Sequence, residues 1–204
     1  MSGNQTDKLV YERKLLDEGL TLIAGMDEVG RGPLCGPVVC AAVIMPLDDH
    51  LIIDGIDDSK KLSEKKREQL SKLILERAIA YKICEVSPEV IDEINILNAT
   101  ILCMKNCVEG LPIKPQALLV DAVKADFGVR TESIIKGDAL SYSIGAASII
   151  AKVYRDNLMA EYAKIYPEYG FEKHKGYGTK AHIEAIKKFG PCPIHRKTFI
   201  KNFV

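Results

Sequence analysis

The sequence predicts an α/β protein: a mixed β-sheet flanked by helices. Three observations carry that prediction. Two short apolar runs, residues 22–26 and 38–45, lie close together and are rich in β-branched residues, as buried neighbouring strands are. Strand-like and helix-length segments then alternate, so the sheet should be mixed rather than wholly parallel. The chain has 204 residues, 47% apolar and 27% charged, which suits a single domain with a real core.

Each element has a local reason. Residues 1–20 are polar, without the apolar stretch of a signal peptide, and the longest apolar run (38–45) is too short to cross a bilayer. Between the first two strands, residues 27–37 read as an elaborate glycine-rich hairpin loop. Ser63 caps a helix that carries Leu70, Leu73, Ile74 and Arg77 at helical spacing. Residues 79–86 form a strand. Ser87-Pro88 opens a short helix to about residue 94. A second helix covers 96–108 and is closed by Gly110 and Pro112. Residues 117–120 make a brief strand running into Asp121, and 133–135 another ending at Lys136-Gly137-Asp138. The longest helix, 140–165, shows an apolar stripe (Leu140, Ile144, Ala147, Val153, Leu158, Tyr162, Ile165) and a small-residue face (Ser141, Gly145, Ser148). A last helix, 179–189, precedes a proline-rich tail. The single domain 1–204 thus divides into an α/β core, about 20–168, and an extension, 169–204.

Composition excludes collagen, coiled coil and disorder. The six cysteines show no CxxC pair and no histidine at zinc-like spacing, so they are expected as buried, reduced thiols of a cytoplasmic protein. Net charge is zero, with 28 Lys+Arg against 28 Asp+Glu, which at first argues against nucleic acid. The average conceals a division. Residues 171–204 hold eight Lys/Arg against two Glu, a local charge of +6 that leaves −6 on the rest. The basic segment suits a phosphate backbone.

Four acids stand at the ends of apolar strands: Asp27, Glu28, Asp121 and Asp138. Ligand sites of open α/β sheets collect there. Converging carboxylates repel unless cations neutralise them, and oxygen ligands favour Mg²⁺ or Mn²⁺. A pair of such ions ~3.5–4 Å apart is a standard device for phosphodiester hydrolysis. Taken singly, Asp138 also fits a helix N-terminal cap and Asp121 a turn residue. Asp27 and Glu28, adjacent in an apolar hairpin, are costly if buried unpaired. They also point to opposite faces of a regular strand. Either the strand ends or bulges there, or Glu28 contributes differently. Gly30-Arg31-Gly32 offers backbone N–H groups and a guanidinium to an anion, or else only a tight turn closed by Pro33. Tyr177 lies between Gly176 and Gly178 on a basic loop, where a ring can stack on a base or sugar, or pack on its own domain.

Residues 25–39, Gly-Met-Asp-Glu-Val-Gly-Arg-Gly-Pro-Leu-Cys-Gly-Pro-Val-Val, resemble the signature of the bacterial ribonuclease HII family. Further matches follow in order at 58–63, 95–100, 119–121, 136–138, 146–153, 174–179 and 195–197. Cys35 stands where the family usually has alanine, and Val29 where alanine is frequent. The resemblance implies a ribonuclease H-like fold with a helical C-terminal extension. It implies endonucleolytic cleavage of RNA paired to DNA, including a single ribonucleotide in duplex DNA. Cleavage 5′ of the ribonucleotide would leave 3′-hydroxyl and 5′-phosphate ends, with roles in ribonucleotide excision repair and RNA primer removal. By the family pattern Asp27, Glu28, Asp121 and Asp138 are catalytic acids binding Mg²⁺ or Mn²⁺, two ions in the catalytic complex. Gly30, Arg31 and Gly32 would read the ribose 2′-hydroxyl, Tyr177 would stack at the RNA–DNA junction, and Lys60 and Lys61 would contact phosphates. The lysines also fit a solvated pair before a helix. The partners implied are RNA–DNA hybrid and ribonucleotide-containing duplex, with no membrane and a monomeric enzyme. Alternatives are another nuclease on the same scaffold (resolvase or exonuclease) or a non-catalytic hybrid-binding module. Ribonuclease HIII carries an extra N-terminal domain, for which ~20 preceding residues leave no room.

Overall fold

The computed structural model describes residues 7–204; the first six residues of the polar N-terminal stretch lie outside the described residues. Five strands form one sheet: β1 (Ile23–Val29), β2 (Val38–Ile44), β3 (Ala80–Val86), β4 (Ala117–Asp121) and β5 (Arg130–Ile134). Their order is β3-β2-β1-β4-β5. The first three strands form an antiparallel meander, while β1, β4 and β5 run parallel, so the sheet is mixed as expected. Three strand C-termini therefore open on one edge.

Helices cover both faces. Helix α2 (Glu64–Arg77) starts at the expected cap, the Ser63 hydroxyl accepting the Lys66 N–H at 3.3 Å. Helix α3 (Pro88–Glu109) covers one sheet face and breaks at Asn95, whose φ of 67° matches the two helices expected there. The Asn95 carboxamide caps the second piece by accepting the N–H groups of Leu97 and Asn98. A short turn, α4 (Gly137–Leu140), leads into the long helix α5 (Tyr142–Ile165) on the other face. Its small residues bring it against the sheet: a Cβ on Gly25 of β1 would lie 2.0 Å from the Ser143 carbonyl carbon. The expected stripe holds only in its first half, because α5 runs off the sheet and leaves Ile165 exposed.

Two expectations about strand boundaries change, and one helix is new. The strand expected at 133–135 is 130–134, and β1 continues through Asp27 and Glu28 instead of ending before them. An unanticipated helix, α1 (Val10–Asp17), buries Leu15 and Glu12. Its Glu12 carboxylate accepts from the Ser141 hydroxyl (2.6 Å) and the Ser143 N–H (2.9 Å), placing an acid at the start of α5, where the helix dipole favours it. C-terminal to α5 come α6 (Phe171–His174), α7 (Lys180–Phe189) and α8 (Lys197–Ile200). This segment shares a small core with the loop after β1, built on Leu34, Cys35, Met159, Phe171, Ile186 and Ile200. Among the described residues no helix is long and apolar enough to cross a membrane. All six cysteines are free.

Candidate active site

Asp27 near the end of β1, Asp121 at the end of β4 and Asp138 in the turn after β5 meet at the sheet edge where the parallel strands finish. Burial, then the charges of Glu28 and Asp121, hold the Asp27 carboxyl well above the ordinary aspartate range. Its Oδ1 accepts the Glu28 N–H at 2.7 Å. Burial also raises Asp121, opposed by the Gly137 N–H at 2.7 Å and reinforced by Asp138. The nearest cation to Asp138 is exposed Lys60, whose Nζ lies 4.0 Å away. Although burial opposes it, Asp138, Asp27, Asp58 and Asp121 together raise the Lys60 pKa. Lys61 instead leans toward Asp57 (3.9 Å), so the structure separates the lysine pair.

Glu28 sits in a regular ladder opposite Cys40, so it projects from the face opposite Asp27. Its Oε1 takes the Arg31 guanidinium at 3.2 Å, while Oε2 is buried and has no partner among the described residues. Burial and Asp121 push its pKa up against that arginine. Among the described residues, no three of the four acids bring ligand oxygens within 4.8 Å of one another. Asp27, Asp121 and Asp138 thus make an open rim of hard oxygen donors, with the unsatisfied Glu28 oxygen on the other face of β1. Such a donor set fits divalent cations that keep some waters and take substrate phosphate oxygens as remaining ligands.

Beyond β1 the chain turns through Gly30, buried with φ +94°, where a Cβ would lie 2.3 Å from Arg155 Nε. Gly32 is different. It is exposed, its φ is not in the left-handed region, and a Cβ there would meet only the Tyr177 ring, at 3.9 Å. Nothing inside the protein needs glycine at this position. The Tyr177 loop is tied to this turn, the Leu34 N–H donating to the Gly176 carbonyl at 2.8 Å. Among the described residues the N–H groups of Gly30, Arg31 and Gly32 make no hydrogen bond within the chain.

The turn rests on residues to which the sequence assigns no role. Arg155 of α5 and Arg196 before α8 are fully buried and donate to carbonyls of residues 30–37. Arg196 thus leaves the basic surface counted from the sequence, whereas Lys173, Lys180, Lys187, Lys188, Lys197 and Lys201 are exposed. Beneath Tyr177, the His182 Nδ1 lies 3.0 Å from the Tyr177 carbonyl, and its Nε2 lies 3.0 Å from His195 Nε2. The His195 Nδ1 accepts the Cys192 N–H at 2.9 Å. Burial lowers His182 to about 4 and lowers His195 as well. Cys35 joins these two imidazoles within 4.8 Å, a grouping that sequence spacing did not reveal. Every ring nitrogen is already paired, and the Arg155 guanidinium bonds the Cys35 carbonyl, which disfavours a further cation. The group is read as a neutral fastening of the Tyr177 loop.

An open mixed sheet with acids at its parallel edge and a glycine turn beside an aromatic loop defines a nuclease of the ribonuclease H-like class. Its fold is similar to the crystal structure of ribonuclease H2 from Pyrococcus horikoshii, with a TM-score of 0.75 and 29% identity, covering 89% of this chain and 96% of that one. The family model for ribonuclease HII matches residues 24–202. Relatives named ribonuclease HII include those of Caldicellulosiruptor bescii, 56% identical over 95% of this chain and 93% of the relative, and of Caldanaerobacter subterraneus subsp. tengcongensis, 55% identical over 95% and 80%. The chain belongs to the ribonuclease HII family.

Proposed function

We propose that this ribonuclease cleaves the RNA strand of RNA–DNA hybrids and cuts duplex DNA on the 5′ side of a single embedded ribonucleotide. The observation that carries the reading is Gly32: an exposed glycine with no internal need for glycine, bordered by Tyr177 and four positions along the chain from Glu28. The 2′-hydroxyl distinguishes RNA from DNA at one nucleotide, and a backbone without side chains can approach it closely. Tyr177, half-exposed, would stack on the sugar or base beside it.

Asp27, Asp121 and Asp138, with Glu28 at the rim, would hold Mg²⁺ or Mn²⁺, two ions in the catalytic complex. Those ions supply activation of the attacking water and charge neutralisation at the leaving oxygen. The chain's own part is positional. Asp27 is oriented by the Glu28 N–H and Asp121 by the Gly137 N–H. Arg31, now on Glu28, can turn its guanidinium to a substrate phosphate, and Lys60 can leave Asp138 for another. Lys61, paired toward Asp57, would be a weaker phosphate contact. The exposed lysines of α7 and the tail would follow the duplex backbone. The enzyme is proposed to act as a cytoplasmic monomer in ribonucleotide excision and primer removal.

The test is cleavage of duplex DNA containing one ribonucleotide, with Mg²⁺, Mn²⁺ or chelator, beside an Asp27→Asn variant. The reading expects metal-dependent products with 3′-hydroxyl and 5′-phosphate ends and no cleavage by the variant. A 2′,3′-cyclic phosphate would show that the 2′-hydroxyl is the nucleophile and would sink the reading.

A further inference from the structure

Arg155 and Arg196 are the largest side chains that the fold buries completely. Every hydrogen bond made by either guanidinium ends on a main-chain carbonyl. Arg155 donates to Cys35 (3.1 Å), Pro37 (3.1 Å) and Lys175 (2.9 Å). Arg196 donates to Gly30 (2.5 Å), Arg31 (2.9 Å) and Gly36 (3.0 Å). Burial and the neighbouring Arg155 charge lower Arg196 to about 9. Two buried cations held by neutral acceptors cost stability, and apolar side chains would fill the space more cheaply. Packing is therefore a poor reason for them.

The carbonyls they collect give a better one. Five belong to the 30–37 turn and the sixth, Lys175, to the loop carrying Tyr177. A carbonyl drawn inward fixes the plane of its peptide, and hence the direction of the following N–H. The Gly30 and Arg31 carbonyls share peptides with the Arg31 and Gly32 N–H groups, which have no partner among the described residues. Arg155, spanning Cys35 and Lys175, sets the spacing between this turn and the Tyr177 loop.

We propose that Arg196 and Arg155 are positioning residues for ribose recognition: they aim the free N–H groups of Arg31 and Gly32 outward and hold that turn at a fixed distance from Tyr177. The proposal rests on the ribose-reading role given to the turn above. A planar fork that bonds three carbonyls is required, so lysine, a point charge on a flexible stem, does not replace it.

Arg196→Lys and Arg155→Lys test it, assayed well below each variant's melting temperature. In the free protein, hydrogen exchange at residues 30–37 and 175–178 should quicken in each variant, while Mn²⁺ affinity by calorimetry stays within about twofold. On a single-ribonucleotide duplex, kcat/KM should fall ~10- to 100-fold, as slight misplacement of a contact does. Combined with Gly32→Ala, the loss should be smaller than the product of the single losses, because both changes act on one turn. Unchanged exchange in the turn, fully multiplicative losses or weakened Mn²⁺ binding would each overturn the proposal. The reading beneath it fails separately: undiminished cleavage by Gly32→Ala alone would refute ribose reading, while exchange would still decide whether the arginines set the turn.

Discussion

Two glycines two positions apart should respond oppositely to alanine. At Gly30 the backbone has φ +94°, a strain of ~1–3 kcal/mol for alanine. The new Cβ also meets Arg155 Nε at 2.3 Å and the Pro37 carbonyl at 2.8 Å, overpacking that costs a further ~1–3 kcal/mol. The sum, about 2–6 kcal/mol, corresponds to a fall in Tm of roughly 5–20 °C for a chain of this size. At Gly32 the backbone is unstrained and the nearest atom is 3.9 Å away. Alanine there reduces unfolded-state entropy and should stabilise by ~0.4–1 kcal/mol, raising Tm by roughly 1–4 °C. The added methyl nevertheless stands where a ribose would approach, so cleavage of a single-ribonucleotide duplex should fall at least about tenfold, a loss of ~1.4 kcal/mol in transition-state stabilisation. Thermal melting and steady-state cleavage of both variants make the comparison. A Gly32→Ala enzyme that is both stable and fully active would refute the reasoning, because the open face would then not meet substrate.

Three further outcomes follow from the same geometry. Asp121→Asn should abolish cleavage yet leave the chelated protein equally or more stable, since it removes one repelling carboxylate; strong destabilisation on melting in chelator would make Asp121 structural. His182, near 4 when folded and about 6.5 unfolded, binds its proton more readily in the unfolded chain, so its stabilisation is full above pH 6.5 and is lost as pH falls through 4. Relative to His182→Gln, the wild type should lose about 2–4 kcal/mol between pH 7 and 4 in denaturant titrations, and parallel profiles would contradict this. Binding to a hybrid duplex should weaken with salt. Lys187→Ala and Lys188→Ala, at exposed positions on α7, should each reduce the log–log slope by roughly one unit if they meet phosphate; unchanged slopes would remove α7 from the interface.

What the sequence made legible was local. Apolar runs that stop at an acid reveal both the strand and the edge at which Asp27, Asp121 and Asp138 gather. Ser63, and the Ser87-Pro88 pair, likewise mark where α2 and α3 begin. Glu28 could be placed on a face only once β1 was seen to continue through it, because strand register decides direction. Arg155 and Arg196 were illegible for another reason. Arginine reads as a surface charge, and their carbonyl partners lie more than a hundred residues away along the chain, apart from the Lys175 contact. The grouping of Cys35 with His182 and His195 is likewise assembled by the tertiary fold. Helix α1 hid in a charged segment whose inward acid, Glu12, resembles its solvated neighbours until Ser141 is set beside it.

The proposed recognition at Gly32 hinges on one atom of the substrate. Two duplexes identical except for a single 2′-hydroxyl, compared by kcat/KM in Mg²⁺ or Mn²⁺, test it most directly. The structure's open Gly32 face beside Tyr177 predicts cleavage of the ribonucleotide duplex at its 5′ side and at least a ~10³-fold preference over the all-DNA duplex, a few kcal/mol of discrimination and more than simple affinity for a duplex would supply. Comparable cleavage of both duplexes would contradict it.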